Sequence, residues 1–212
     1  MITSHGLRSA VDSSVSAVTY VAAATTSNST QTASLVINKP TGTVEGDIMV
    51  ALYGSNSGVT WASASGWTEV IDQGAAPSLS VAYKVAGASE DANYTFTSSV
   101  SRFLSGAILT FRGAAYDVVG SVATNTTMTA SAITLSSNSS AIIAGFFDNG
   151  TSRTWSNPTS GLISAATDSD ANAPSFAIYY QLNVSSGSTG SKTATPSGTN
   201  NPASILVGLK PS

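Results

Sequence analysis

The stretch PSLSVAYKV at residues 77–85 carries an apolar residue at every second position, and PSFAIYYQL at residues 174–182 has the same pattern. Both begin with Pro-Ser, and both place a tyrosine, Tyr83 or Tyr180, third in the apolar series. Alternation with a period of two is typical of β-strands, because successive side chains point to opposite faces of a sheet. The sequence therefore predicts the same strand twice.

The repetition continues on both sides of these strands. DIMVALYGSNSGVTW (47–61) aligns without a gap on AIIAGFFDNGTSRTW (141–155). Each copy also closes on an apolar strand that ends in a basic residue, AILTFRG (107–113) and SILVGLKP (204–211). Two copies of about five short strands, joined by Gly, Ser, Asn and Pro turns, indicate a sandwich rather than a solenoid, which needs about three or more repeats.

The composition favours strands and excludes several classes of protein. Hydrophobic residues make up 42% of the 212 residues and charged residues only 9%, whereas Ser occurs 38 times and Thr 26 times. An ordinary soluble domain has roughly 25% charged residues. The net charge of −3 argues against a nucleic-acid partner, and no apolar run is long enough for a membrane span. With no cysteine, stability must come from packing or oligomerisation.

These patterns predict an all-β fold: a jelly-roll-like, two-sheet β-sandwich with an internal two-fold repeat. We expect an N-terminal arm at residues 1–17 and a single sandwich domain at residues 18–212. Its two similar halves would span about 33–113 and 130–211, each with sheets that have one apolar face, and together they would close one core. Two independent tandem domains are the alternative, although ~80 residues is a small core.

The same alternation identifies the expected core. Of the residues in these strands, fifteen are expected to be mostly buried: Ile48, Val50, Leu52, Leu79, Val81, Tyr83, Ile108, Ile142, Ala144, Phe146, Trp155, Phe176, Ile178, Tyr180 and Leu206.

Four segments of the chain form a distinctive set of motifs: NKPTGTVEGDIMVALY (38–53), GWTEV (66–70), LSVAYKVAGASEDANYTFT (79–97) and GAILTFRGA (106–114). Together they resemble a domain of tailed-bacteriophage structural proteins. The resemblance covers about residues 18–212 and implies a jelly-roll β-sandwich on the virion surface, in capsid decoration proteins or tail fibres. The sequence departs from the family by showing no tail-anchoring domain, coiled coil or collagen-like stretch beside this module.

The resemblance implies a non-enzymatic phage virion protein, and a capsid decoration (cement) protein that docks on the head surface is the leading interpretation. Its partners would be the major capsid protein or other virion proteins, and it would form a homo-oligomer, with a trimer favoured. We expect it on the particle surface, with no signal peptide, membrane or nucleic-acid partner and no cofactor. The alternatives are a tail or head fibre module that binds host glycans, or a carbohydrate-binding module.

The arm carries sparse apolar residues, Ile2, Leu7, Val11 and Val15, among polar neighbours. They are too few to form a core of their own, and ordering each residue costs roughly 1–2 kcal/mol of backbone entropy. We therefore expect the arm to be the partner-binding segment, docked on a neighbouring subunit or on the capsid shell. It also holds His5, the one histidine. A Ser-His-Asp site needs its base next to a nucleophile in a pocket, so we expect a histidine in the arm to be solvated or packed rather than catalytic.

Two further groups of residues are weighed as sites. Asp168, Asp170 and Asn172 have the spacing of calcium ligands, but Tyr179 stands where a calcium loop has Glu, and a turn explains the same residues. Trp61 and Trp67 are candidates for sugar stacking, against a core role that recurrence of Trp61 as Trp155 favours. The carboxylate pairs Glu45/Asp47 and Glu90/Asp91 lie in turn-like sequence, so we expect no catalytic residues and no enzyme.

Overall fold

The computed structural model describes residues 17–212, which form an all-β sandwich without a helical residue. No helix in this part of the chain is long and apolar enough to cross a membrane. The strands are β1 (Thr19–Ser27), β2 (Thr32–Asn38), β3 (Ile48–Ser55), β4 (Trp61–Ala62), β5 (Thr68–Gln73), β6 (Ser78–Val85), β7 (Asn93–Arg102), β8 (Leu104–Arg112), β9 (Ala114–Val119), β10 (Thr129–Ala130), β11 (Thr134–Leu135), β12 (Ser140–Asp148), β13 (Trp155–Ser156), β14 (Ile163–Asp168), β15 (Ser175–Val184), β16 (Gly187–Ser188), β17 (Lys192–Thr193), β18 (Thr195–Pro196) and β19 (Pro202–Pro211).

Two five-stranded antiparallel sheets form the centre of the molecule. The first inner sheet has the order β1-β8-β3-β6-β5, and the second has the order β9-β19-β12-β15-β14. The two orders correspond strand for strand along the chain, so the Pro-Ser strands β6 and β15 take the same place, between the central strand and the edge strand. We call residues 18–112 the first half and residues 114–211 the second half.

Each inner sheet is covered on its outer side by further strands. A three-stranded sheet, β2-β7-β4, covers the first half. The second half has three two-stranded pieces instead, β10-β17, β11-β16 and β13-β18. The segment that corresponds to β7 contains Gly187 and Gly190, both with positive φ, and Pro196, which has no N–H to donate. These residues interrupt the strand, so the two ends of the four-layered molecule differ.

Three hydrophobic cores lie between the four layers. The middle core joins the two inner sheets and includes Leu52 of β3 and Ile205 of β19, and each half has a further core beneath its outer strands. All residues of β3 are buried. The expectation of one apolar face per sheet and one shared core is therefore wrong, because the central strands are covered on both sides. Continuous apolar runs, such as IMVALY, are typical of strands buried on both faces.

The gapless alignment of the central strands is also wrong by one residue. Ser55 pairs with Ser78 in the first sheet, and Asp148 pairs with Ser175 in the second, so Ser55 is equivalent to Asp148 rather than to Asn149. Side chains alternate between faces, and a slip of one residue exchanges the faces of the whole strand. Accordingly, the middle core contains Ile48, whereas the second half's outer core contains Ile142, its partner in the gapless alignment.

The leading strands β1 and β9 also belong to the repeat, although the predicted halves begin after them. Tyr20 of β1 stacks on Tyr180 with 4.3 Å between ring centroids, and Tyr116 of β9 stacks on Tyr83 at 4.7 Å. Each pair joins the leading strand of one half to the Pro-Ser strand of the other. The tyrosines that recur in the two Pro-Ser strands thus close the rim of the middle core.

Most of the expected core residues are buried, with three exceptions. Tyr83 and Tyr180 are only partly buried because they lie at the rim of the middle core. Trp155 is also partly buried, and it lies beside a surface cleft. The other twelve residues are fully buried, although they are divided among the three cores. The proposed arm residues Ile2, Leu7, Val11 and Val15, together with His5, lie outside the described residues.

Candidate functional site

A surface cleft of about 450 Å³ lies in the second half beside β13, β14 and β15. This volume falls within the roughly 300–1,000 Å³ of small-molecule sites. Its lining combines two aromatic rings, hydroxyl groups and two charged residues: Arg153, Thr154, Trp155, Pro158, Ser164, Thr167, Asp168, Ser169 and Tyr179.

Trp155 and Tyr179 supply the aromatic part of the cleft. Trp155 is the first residue of the short strand β13 and is only partly buried. Tyr179, on β15, is 5% exposed and packs against Phe146 with ring centroids 6.0 Å apart. Burial raises the pKa of the Tyr179 hydroxyl, so the group is neutral near pH 7. The cleft therefore presents a largely buried phenol beside a partly exposed indole, whose Nε1 is buried with no hydrogen-bond partner among residues 17–212.

The first half contains an equivalent tryptophan in a different environment. Trp61 is 7% exposed and packs edge-on against Tyr53. Its indole Nε1 donates a 3.0 Å hydrogen bond to Ser78 Oγ, and its backbone N–H donates to Asp72 Oδ2 at 3.1 Å. Ala82 stands where the second half has Tyr179, since Ala82 pairs with Glu69 as Tyr179 pairs with Ser164.

The edge strands of the two halves differ in the same region. Glu69 and Asp72 of β5 correspond to Ser164 and Thr167 of β14 in strand pairing. Glu69 Oε2 accepts a hydrogen bond from Ser63, which is bonded in turn to the Tyr53 hydroxyl. This network ties the first half's turn to its edge strand. In the second half, two exposed hydroxyl residues take the place of the carboxylates.

Arg153 lines the cleft, and its guanidinium group already pairs with a buried carboxylate. Asp148 is fully buried, and its Oδ1 accepts a 3.0 Å bond from Arg153 Nε and a 2.8 Å bond from Gly150 N–H. A Cβ atom at Gly150 or Gly198 would collide with the guanidinium, so both glycines make room for it. Asp148 Oδ2 accepts a further bond from the N–H of Asn200 at 2.7 Å. The ion pair thus ties together two loops, residues 149–154 and 197–201.

The carboxylate pairs considered in the sequence do not act in pairs. Burial alone would raise the pKa of Asp47, but hydrogen bonds from Arg112 and from Val44 N–H outweigh burial and lower the pKa. The pKa of Glu90 is lowered in the same way by Lys84 and by further hydrogen-bond donors. In each pair, one carboxylate, Asp47 or Glu90, stabilises a turn through its hydrogen bonds. The other carboxylate, Glu45 or Asp91, takes no part in these hydrogen bonds.

The acidic segment considered for calcium forms a turn ahead of Pro174. Asp168 Oδ1 accepts the N–H of Asp170 at 2.8 Å. Asp170 Oδ1 then accepts the N–H groups of Asn172 and Ala173. Nowhere in residues 17–212 do three or more acidic, histidine or cysteine side chains come together as a possible metal site. These side chains therefore serve as turn formers, and Asp168 also lines the cleft.

The two tryptophans considered for sugar stacking lie in the first half's outer core. Trp61 and Trp67 are 7% and 8% exposed, and Trp67 packs edge-on against Tyr94 and Phe96. Both rings are therefore largely covered, and Trp61 borders only a small surface depression of about 160 Å³ beside Ala62 and Thr97. Trp155, which recurrence assigned to the core, is the accessible indole instead. The sequence feature that distinguishes the two tryptophan environments is residue 179: the second half has Tyr179 where the first half has Ala82, in otherwise similar strands.

Comparisons of the chain with protein-family models, with curated proteins and with solved structures give no match.

Proposed function

We propose that the protein is a non-enzymatic structural protein of a phage particle, of the capsid decoration type, located on the particle surface and docked on the head. The segments described above, NKPTGTVEGDIMVALY to GAILTFRGA, support the phage assignment by resemblance. The surface chemistry of the first half's outer sheet carries the docking role.

The outer face of β2-β7-β4 is exposed and carries no charged side chain between Ser34 and Asn38 or between Asn93 and Ser99. Its cross-strand pairs include Val36 with Thr95 and Asn38 with Asn93. Its exposed residues are Ser34, Val36, Asn38, Ala62, Asn93, Thr95, Thr97 and Ser99.

Such a face is well suited to docking on another protein. Short and β-branched side chains lose little rotamer entropy on burial, whereas Lys and Glu lose up to about 1.5–2 kcal/mol each. Charged residues are depleted at the centres of protein interfaces for the related reason that burying a charge is costly. We infer that this sheet contacts the major capsid protein, while the second half, with its interrupted strands and cleft, faces outward.

A charge placed on this face tests the proposal. Thr95→Lys should abolish co-sedimentation of the purified protein with phage heads that lack it, because the interface would bury an unpaired ammonium group. The matched control is Thr134→Lys, on an exposed position of β11 at the opposite end, which should co-sediment like the unaltered protein. Both variants should keep the same thermal unfolding midpoint.

Equal co-sedimentation of Thr95→Lys and Thr134→Lys would exclude the sheet as the docking face. If the unaltered protein fails to bind heads, the decoration role itself is wrong. We also propose a homo-oligomer, with a trimer favoured, which native mass spectrometry of the purified protein measures directly.

A glycan-binding module, on a fibre or on its own, is the second candidate function. The observation that favours it is the cleft beside Trp155, and no residue of the proposed docking sheet takes part in that cleft.

A further inference from the structure

We propose that the cleft beside Trp155 binds a neutral saccharide unit, and that the second half alone carries this site. The inference does not depend on docking to a phage head, because the cleft and the uncharged sheet lie in different halves of the molecule.

The lining of the cleft complements both kinds of surface that a sugar ring presents. A pyranose has an apolar face of C–H groups and a rim of hydroxyls. The partly buried indole of Trp155 offers an aromatic surface for the first. For the rim, Ser164, Thr167 and Tyr179 line the same space, and hydroxyls both donate and accept hydrogen bonds.

The charge at the cleft favours a neutral ligand over an anionic one. Arg153 Nε is paired with the buried carboxylate of Asp148, and the guanidinium lies against Gly150 and Gly198. Asp168 is the acidic residue in the lining, and its Oδ1 accepts the N–H of Asp170. A phosphate or a carboxylated sugar would meet this negative charge without a free cation among the lining residues.

The first half serves as an internal comparison for the site. The two halves share the strand order, the tryptophan and the turn that precedes the edge strand, with Gly66 and Gly161 both at positive φ. They differ where the cleft is lined, since Ala82 and Glu69 correspond to Tyr179 and Ser164. The fold therefore does not require an open cleft at this place, because the first half closes the same region around Trp61.

The size of the cleft limits the ligand. A volume of about 450 Å³ accommodates a mono- or disaccharide rather than a long chain in full, so a polysaccharide would bind through one or two of its units. Because the cleft is at the surface, the rest of such a chain can continue into solvent.

The test is a binding assay with the isolated full chain. Neutral mono- and disaccharides based on glucose, galactose, mannose and N-acetylglucosamine are the probes, with sialyllactose and inorganic phosphate as anionic probes. Saturation-transfer NMR and the tryptophan emission spectrum report binding. We expect at least one neutral saccharide to bind and to shift the emission of Trp155, while both anionic probes give no signal.

Two substitutions connect binding to the cleft. Trp155→Ala should reduce affinity at least tenfold, and Trp155→Tyr should retain part of it because a ring is kept. Ser164→Glu introduces, at an exposed position of β14, the glutamate that the first half has at the equivalent position, Glu69. It should reduce affinity about as much as Trp155→Ala does. Its matched control is Glu69→Ser in the first half, which should leave affinity within twofold of the unaltered protein.

The proposal is overturned if none of the neutral probes binds, if an anionic probe binds best, or if binding survives both Trp155→Ala and Ser164→Glu. Thermal unfolding of each variant shows that the fold is retained; Ser164→Glu, at an exposed site, remains decisive if Trp155→Ala lowers stability. Thr95→Lys should bind the saccharide normally, so failure of head docking and failure of saccharide binding are separate results.

Discussion

Substituting Gly145 with alanine should strain the contact between the two inner sheets. An added Cβ at this position would lie 2.5 Å from Leu52 Cδ2 of the opposite sheet and 3.4 Å from Ile205 Cγ2. Leu52 is fully buried in the middle core, so it has little room to move away. Overpacking a core by a methyl group costs roughly 1–3 kcal/mol. Alanine recovers roughly 0.5–1 kcal/mol of backbone entropy relative to glycine, so the middle of the two ranges leaves a net loss of about 1 kcal/mol.

A double-mutant cycle isolates this contact. Leu52→Ala alone should cost roughly 2–5 kcal/mol, because it leaves a cavity. In the double variant the new methyl group of residue 145 occupies part of that cavity, so the total loss should fall short of the sum by about 1 kcal/mol or more. Urea unfolding followed by tryptophan fluorescence measures all four proteins.

Gly87→Ala is the control, because the nearest atom to its added Cβ is Glu90 Oε1 at 3.6 Å. It should change the free energy of unfolding by no more than about 0.5 kcal/mol. A Gly145→Ala protein as stable as the unaltered chain, or losses that add fully with Leu52→Ala, would refute the close approach of the two sheets.

Three further predictions concern stability and attachment. Phe176→Ala should lose roughly 3–5 kcal/mol in the same urea assay, because the ring is fully buried and stacks on Phe147; a loss below about 1 kcal/mol would contradict its place in the middle core. The pKa values of Asp47 and Glu90 are lowered in the folded state, so the stability they contribute is present above their ordinary values near pH 4 and is lost as the pH falls through the folded values. Unfolding measured between about pH 2 and 6 should therefore show a shallower acid slope in Asp47→Asn/Glu90→Gln than in the unaltered chain, and equal slopes would exclude these groups. A chain that begins at Val18 should keep its thermal unfolding midpoint, since Val18 is the first described core residue, yet be lost from phage heads, because docking by the β2-β7-β4 sheet is expected to need the arm at residues 1–17 as well. Unchanged retention on heads would show that the sheet docks without the arm.

Local pattern was sufficient to predict the strands that form the inner sheets. The alternation at residues 77–85 and 174–182 predicted β6 and β15, and the turn residues around them set the boundaries to within a few positions. The recurrence of the two stretches also predicted their equivalent places. Both inferences hold because period and turn chemistry are properties of neighbouring residues, which the sequence shows directly.

The candidate site could not be predicted in the same way. Recurrence of Trp61 as Trp155 indicates equal roles, and the sequence offers Trp61 and Trp67 as the candidates for sugar stacking. The accessibility of an indole depends on residues distant in sequence, such as Ala82 or Tyr179 on a neighbouring strand. In the first half these neighbours leave room for the ring to be buried, and in the second half Tyr179 occupies the corresponding position.

By itself, the sequence determined an all-β chain of two similar halves, because alternation, β-branched residues and turn residues act within a few positions. Only the tertiary structure decided which face of each strand meets which layer. Ile48 and Ile142 show the reason, since two apolar residues in matching text lie in different cores. A strand covered on both sides is apolar on both sides, so its sequence does not show which alternate residues face the middle core and which face the outer core. The facing of each residue is set by the register of the strands, in which Ser55 pairs with Ser78 and Asp148 with Ser175. These contacts form only when strands that are distant in sequence meet.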